Sequence, residues 1–152
     1  MRLQFRRAMP DDAEALSELA FRSKASNGYD ATFMDACRVE LTFSAATMAA
    51  GETWLAELDG KLAGFIDVRL VDGVAEVFAM FVEPDLKRGG VGRALWQQLE
   101  IAARSLGANA VMLDADLAAV PFYEAMGCFV VGEAPSGSIP GRTLPRLRKT
   151  LR

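Results

Sequence analysis

Between residues 87 and 93 the chain reads Lys87-Arg88-Gly89-Gly90-Val91-Gly92-Arg93, three glycines set among three cations where a helical pattern begins. Amides at the start of a helix lack intrahelical acceptors, the helix dipole adds partial positive charge there, and glycine lets a ligand's phosphates approach the backbone. The spacing fits a cradle for an anion. The same glycines also suit a plain tight turn from strand to helix, and alone they do not separate the two readings. A Walker-type loop needs Gly-x-x-x-x-Gly-Lys-Ser/Thr, which is absent. The dinucleotide fingerprint wants a third glycine at position 95, where Leu95 stands, inside a parallel strand-helix-strand unit near the front of the chain.

Other chemistries are removed by composition. The chain has no histidine, so Ser-His-Asp and Cys-His nucleophilic systems and His-rich metal hydrolysis are excluded. Cys37 and Cys128 match no zinc-ligand spacing, and no metal site is expected. They read as free thiols in a reducing compartment. A net charge of −3 opposes broad nucleic-acid binding, which needs a basic surface to displace counterions. The first residues lack the apolar core of a signal peptide, and no apolar run approaches a membrane span, so the expectation is a cytoplasmic protein with no membrane contact. At 152 residues, 51% hydrophobic and 24% charged, the chain suits one domain over residues 1–152 with a proper core.

The elements that must position the glycine turn follow from periodicity. Leu3 to Ala8 alternates like a short strand, and Pro10-Asp11-Asp12 signals a helix start. Ala13, Leu16, Leu19 and Ala20 then fall on one helical face, to about Ser23. A polar loop, residues 23–30, precedes a second helical stretch over about 31–40. Strands over 54–58 and 62–71 join at Asp59-Gly60, a hairpin dipeptide, and Asp72-Gly73 repeats the signal before a third strand, 74–82. Pro84 ends that strand, and a helix from Gly90 to about Leu106 carries Val91, Leu95, Leu99 and Ala102 on one stripe, capped by Gly107. A strand over 110–114, a helix over 118–126 ending at Gly127, a strand over 129–133 and a final strand over 143–151 complete the chain. This order predicts an α+β fold: a mixed, mostly antiparallel sheet of six to seven strands with helices on both faces.

Val82-Glu83-Pro84-Asp85-Leu86-Lys87-Arg88-Gly89-Gly90-Val91-Gly92-Arg93-Ala94-Leu95 resembles the acetyl-CoA motif of the GCN5-related N-acetyltransferases, the GNAT superfamily. That motif is Gln/Arg-x-x-Gly-x-Gly/Ala. Gly90 and Gly92 match, while Lys87 stands at the Gln/Arg position, keeping the charge but losing the planar fork of arginine. The resemblance implies that amides from Arg88 through Arg93, including those of Gly89 and Val91, hold the pyrophosphate. It implies too that Met80, Phe81 and Val82 pair with the pantetheine arm like an added strand. Downstream, Ala119-Val120-Pro121-Phe122-Tyr123-Glu124-Ala125-Met126-Gly127 resembles the second signature, Ala-x-x-x-Tyr-Glu-x-x-Gly-Phe, with Cys128 in place of its phenylalanine and Phe129 next. By that resemblance Tyr123 sits near the CoA sulfur and protonates the departing thiolate. Aromatic core packing is the competing reading, which suits Phe122.

Asp116 lies where many relatives place an asparagine that contacts the pantetheine arm; a helix N-cap is its other reading. Glu76 precedes the Gln/Arg position by the interval of the general-base glutamate in the histone-acetylating branch, and a solvent-facing strand charge is its alternative. The activity implied is N-acetyl transfer from acetyl-CoA to a primary amine by direct attack in a ternary complex. Its rivals are a non-catalytic CoA-binding regulatory module and an acyltransferase using another acyl-CoA. Two segments, residues 22–30 with Ser-Lys-x-x-x-Gly-Tyr-Asp and residues 135–145 with Pro-Ser-x-Ser-Ile-Pro-Gly-Arg-x-Leu-Pro, resemble a narrower branch of small family members, and Lys24, Tyr29 and Arg142 within them are candidate acceptor-binding residues. A homodimer is one further expectation, with a sheet edge near 143–151 as the surface.

Overall fold

The computed structural model describes residues 2–152, and its order of elements follows the periodicity closely. Strand β1 spans Leu3–Arg7. A 3-10 turn at Pro10–Asp12 then leads into α1, Ala13–Ala25. Asp12 stabilises this turn: its carboxylate accepts from the Met9 amide at 2.7 Å and takes two hydrogen bonds from Arg6 at 2.9 Å. Helix α2, Ala31–Cys37, starts where Asp30 accepts from the Phe33 amide at 2.8 Å, and it ends three residues sooner than expected. A short helix, α3 at Ala45–Ala49, was not anticipated; the reciprocal bonds between Ser44 and Thr47 that start it are a local signal.

Three strands form the expected meander: β2 at Glu52–Leu58, β3 at Lys61–Val71 and β4 at Val74–Val82. After a 3-10 turn at Pro84–Leu86 comes α4, Val91–Ser105, followed by β5 at Ala110–Asp114. A further 3-10 turn, Leu117–Ala119, leads into α5, Val120–Ala125, and strands β6, Phe129–Pro135, and β7, Thr143–Thr150, complete the order. The seven strands form one sheet in the order β1-β2-β3-β4-β5-β7-β6, in which only the β4–β5 pair is parallel. The fold is therefore the expected α+β arrangement. One expectation fails here: β7 pairs with both β5 and β6, so residues 143–150 are interior to the sheet and β6 is the edge.

Side-chain alternation along the strands sends successive residues to opposite faces and makes two cores. Phe65 packs with Leu16, Leu19 and Met34 under α1 and α2, whereas its neighbour Ile66 packs with Leu95, Leu99 and Leu113 under α4. The whole predicted stripe of α4, Val91, Leu95, Leu99 and Ala102, is buried. Gly64 lets that helix lie close, since a Cβ there would stand 2.6 Å from Leu95 Cδ1 and 2.7 Å from the Phe81 carbonyl oxygen.

Candidate active site

Strands β4 and β5 run together only from Val74↔Ala110 to Val77↔Leu113, while β4 continues against β3 as far as Val82↔Gly64. The register against β3 shifts at this point: Val68 faces Val77 and Asp67 faces Ala79, leaving Phe78 as the extra residue of a β-bulge. From Phe78 to Val82, then, β4 has a sheet neighbour on one side only. Met80, Phe81 and Val82 lie in this opened segment, whose free edge offers backbone groups to an extended ligand.

The glycine turn lies at the end of that slot. Glu83 and Pro84 turn the chain, Arg88 adopts φ 69°, and Gly90 begins α4 at φ 89°. Gly90 meets a left-handed conformation that other residues adopt only with strain. Arg88 bears such strain itself. Among the described residues, the amides of Arg88, Gly90, Val91, Gly92 and Arg93 have no backbone acceptor, whereas Gly89 donates to the Leu86 carbonyl at 3.2 Å. Gly89 is thus the exception within the expected cradle. Gly92 allows a close approach: a Cβ there would lie 3.1 Å from Phe122 Cε1. The Lys87 ammonium does not lie over these amides; it donates to Ser26 Oγ at 2.7 Å and to the Ser23 carbonyl at 3.4 Å, at the end of α1.

Across the split, α5 carries Tyr123, whose ring is edge-on to Trp96 at 5.8 Å and to Phe122 at 5.2 Å. Lys149 holds α4 and α5 together by donating to Glu100 Oε2 at 2.5 Å and to the Met126 carbonyl at 2.8 Å. Burial pushes the Tyr123 phenol well above its ordinary pKa, and the neighbouring Cys128 and Asp116 push it further. The phenol therefore keeps its proton at neutral pH. Cys128, not Phe129, takes the inward place after Gly127: Cys128 is buried while Phe129 is 54% exposed.

Burial raises the Cys128 thiol to about 11, with Lys149 opposing and Glu100 adding. A thiol at about 11 leaves about one molecule in a thousand as thiolate at pH 8. Alkylation of Cys128 by iodoacetamide, followed by peptide mass mapping, is expected to accelerate about tenfold per pH unit from 8 to 10 in the folded protein. In urea the rate should level off near the ordinary thiol pKa. A folded-state plateau at pH 9 would contradict this assignment.

Glu76 and Asp116 lie on the α1 and α2 side of the split, both in ionic networks. Arg146 of β7 donates to Glu76 Oε1 at 2.5 Å, to Glu76 Oε2 at 3.1 Å and to Asp114 Oδ1 at 2.8 Å. Each Glu76 oxygen thus accepts one bond from Arg146, which ties the carboxylate to β7 and leaves lone pairs open to a further donor. Asp116 makes no side-chain cap bond, which removes the N-cap reading. Its Oδ1 accepts from Tyr29 Oη at 2.5 Å and lies 3.6 Å from Arg142, and its Oδ2 lies 3.4 Å from Lys24. These partners hold its carboxyl below the ordinary value against the opposing effect of burial.

Helix α1 runs two residues beyond the expected Ser23, so Lys24 lies on its last turn rather than in a loop, and it meets Tyr29 and Arg142, from two loops distant in sequence, at one place. Arg142 donates to Tyr29 Oη at 2.9 Å. Phe33, which the sequence did not single out, stacks on Tyr29 at 3.9 Å and 14°. The loop after β6 is tied to the turn that follows α2 by a hydrogen bond from Ser138 to Glu40. Among the described residues, no group of three or more His, Cys, Asp or Glu is placed to hold a metal ion, and no helix is long and apolar enough to cross a membrane.

This arrangement, a sheet split beside a strand-to-helix turn with free amides, is that of a known family. The acetyltransferase (GNAT) family model matches residues 14–128, and the chain belongs to that family. Mycothiol acetyltransferase of Streptomyces avermitilis is 38% identical over 79 residues, covering 49% of this chain and 26% of that protein. The peptidyl-lysine N-acetyltransferase YiaC of Escherichia coli is 34% identical over 86 residues, 57% of this chain and 56% of that protein. The chain thus matches about a quarter and about half of the length of these two relatives. Among solved structures, the PaiA N-acetyltransferase of Thermoplasma acidophilum in complex with coenzyme A superposes with a TM-score of 0.79 at 18% identity, covering 99% of this chain and 100% of that one. A GCN5-related N-acetyltransferase of Rhodopseudomonas palustris reaches 0.81 at 24% identity, covering 99% and 97%. At these identities the likeness is one of fold.

Proposed function

We propose that the chain is an acetyl-CoA-dependent N-acetyltransferase that moves an acetyl group to a primary amine by direct attack in a ternary complex. The observation that carries this reading is the opened edge of β4 from Phe78 to Val82, with the free amides of Arg88, Gly90, Val91, Gly92 and Arg93 beyond its end and the buried Tyr123 across the split. In this reading the pantetheine arm adds to the edge as a strand, the pyrophosphate takes the amides of Arg88, Gly90, Val91, Gly92 and Arg93, and Arg88 and Arg93 contribute charge, while Lys87 ties the turn to the end of α1. Coenzyme A in the Thermoplasma acidophilum structure supports the donor class.

The thioester carbon takes the amine's lone pair, its carbonyl becomes an oxyanion near the bulge at Phe78, and the C–S bond then breaks. A strand amide that strengthens its hydrogen bond as this charge develops lowers the barrier. Tyr123 offers its hydroxyl to the sulfur. Its raised pKa makes complete proton transfer to a thiolate uphill, so its contribution is a hydrogen bond that strengthens as the sulfur becomes negative, with water supplying the final proton. Cys128 is too buried and too weakly acidic to act as an acyl carrier.

The amine's own proton leaves through water in this reading, with Glu76 as a positioning residue for Arg146. Glu76→Gln is therefore expected to lower kcat by no more than about threefold and to leave the acid limb of the pH–rate profile in place, because the proton acceptor is water. Loss of that limb together with a fall of about 100-fold would restore Glu76 as the general base.

Mixing the protein with acetyl-CoA and a broad panel of primary amines, and following free thiol and acetylated product together, tests the reading. Binding of acetyl-CoA with no product from any amine would leave a non-catalytic CoA-binding module. Thermal-shift ranking of acetyl-CoA, succinyl-CoA and free CoA tests the donor, since the tightest ligand stabilises most.

A further inference from the structure

The cluster of Lys24, Tyr29, Phe33, Asp116 and Arg142 is unbalanced in charge. Its two cations share one carboxylate, at 3.4 Å and 3.6 Å. All three charged side chains are largely withdrawn from water, with 17%, 21% and 14% exposure for Lys24, Arg142 and Asp116. Taking a second cation out of water without a second anion costs free energy that a purely structural tie would not need. The nearby acids are otherwise engaged: Asp30 caps α2, Glu40 accepts from Ser138, and Glu76 and Asp114 both hold Arg146.

The cations also share a flat apolar shelf. Lys24 Nζ lies 5.6 Å from the Tyr29 ring and 5.9 Å from the Phe33 ring, and the Arg142 guanidinium lies 5.4 Å and 5.0 Å from the same rings. The aromatic faces offset part of the lost hydration of each cation. Asp116 lies two residues beyond the end of β5 and near enough to Tyr123 to perturb its phenol, so the cluster borders the point of transfer.

From this juxtaposition we infer that the acceptor is a small primary amine that also carries a carboxylate, held by Lys24 and Arg142 while its carbon skeleton lies along the Tyr29 and Phe33 shelf. The inference rests on the N-acetyltransferase reading and specifies its substrate class. An incoming carboxylate meets the planar fork of Arg142 and the ammonium of Lys24, completing a set of two cations between two anions. It also aims the amine back toward the split. A cationic acceptor body would instead face net positive charge.

The test compares matched pairs, each amino carboxylate beside its own carboxamide: α-amino acids, ω-amino acids of graded length, and 4-(aminomethyl)benzoate beside 4-(aminomethyl)benzamide. Rates are expressed per unprotonated amine, so that basicity does not decide the outcome. For the best skeleton the carboxylate is expected to exceed its carboxamide in kcat/KM by at least about tenfold, the size of one charge-assisted contact. Arg142→Gln should bring that ratio close to one, mainly through KM for the carboxylate, and Arg142→Lys should restore part of it. Acetylation that is indifferent to the carboxylate, or that favours the carboxamides, overturns the inference while leaving the N-acetyltransferase reading intact. Acetylation of no amine at all overturns both. The wild-type pairs decide the matter even where an Arg142 variant does not fold.

Discussion

Replacing Tyr123 with phenylalanine is expected to lower kcat by about 100-fold to 1000-fold, the usual cost of removing one donor aimed at developing charge. Affinity for acetyl-CoA should stay within about twofold, because the hydroxyl acts on the leaving sulfur rather than on the bound thioester. The ring contacts with Trp96 and Phe122 survive the change, so the fold should survive as well. Steady-state kinetics beside calorimetric titration with acetyl-CoA separates the two quantities. A variant that keeps its turnover would make Tyr123 a packing residue, and one that loses both turnover and binding would point to collapse of the α4–α5 seam.

Gly92→Val should strike the opposite quantity. The new Cβ arrives 3.1 Å from Phe122 Cε1, and the two added methyl groups need further room in the first turn of α4, beside the free amides. Acetyl-CoA binding is expected to weaken by about 100-fold, two steps of 1.4 kcal/mol. Gly92 lies in the first turn of α4, outside the positive-φ set, so the backbone itself accepts valine. Thermal unfolding should therefore move little while the titration signal is lost. An affinity within about threefold of wild type would place the pyrophosphate elsewhere.

Much of this site is legible without coordinates, because its parts are local. The stripe of Val91, Leu95, Leu99 and Ala102, the hairpin dipeptides at 59–60 and 72–73, and Pro84 before the glycines all announce their conformations through near neighbours in sequence. What escapes depends on pairing between distant segments. The insertion of β7 between β5 and β6 is invisible to periodicity, and with it goes the position of Arg146 opposite both Asp114 and Glu76. Glu76 reads as a candidate base from its interval alone, and its ion pair with Arg146, 70 residues away, comes only with the sheet order. Asp116 shows the same limit, since its partners come from α1, the following loop and the loop just before β7. Lys24, Tyr29 and Arg142 were legible as individual polar residues. Their convergence on one carboxylate and a shared aromatic shelf was not, and Phe33 looked like any apolar position of a short helix.

The central claim, direct acetyl transfer to an amine with no acyl-enzyme, is tested most directly by a single-turnover experiment. The protein is mixed with one equivalent of acetyl-CoA, and the mass of the intact chain is followed before and after an amine panel is added. An unmodified chain is expected throughout, with acetylated amine and free coenzyme A appearing together in equal amounts once amine is present. An acetylated chain formed before the amine arrives, with the label on Cys128, would contradict it, as would bound acetyl-CoA that no amine consumes.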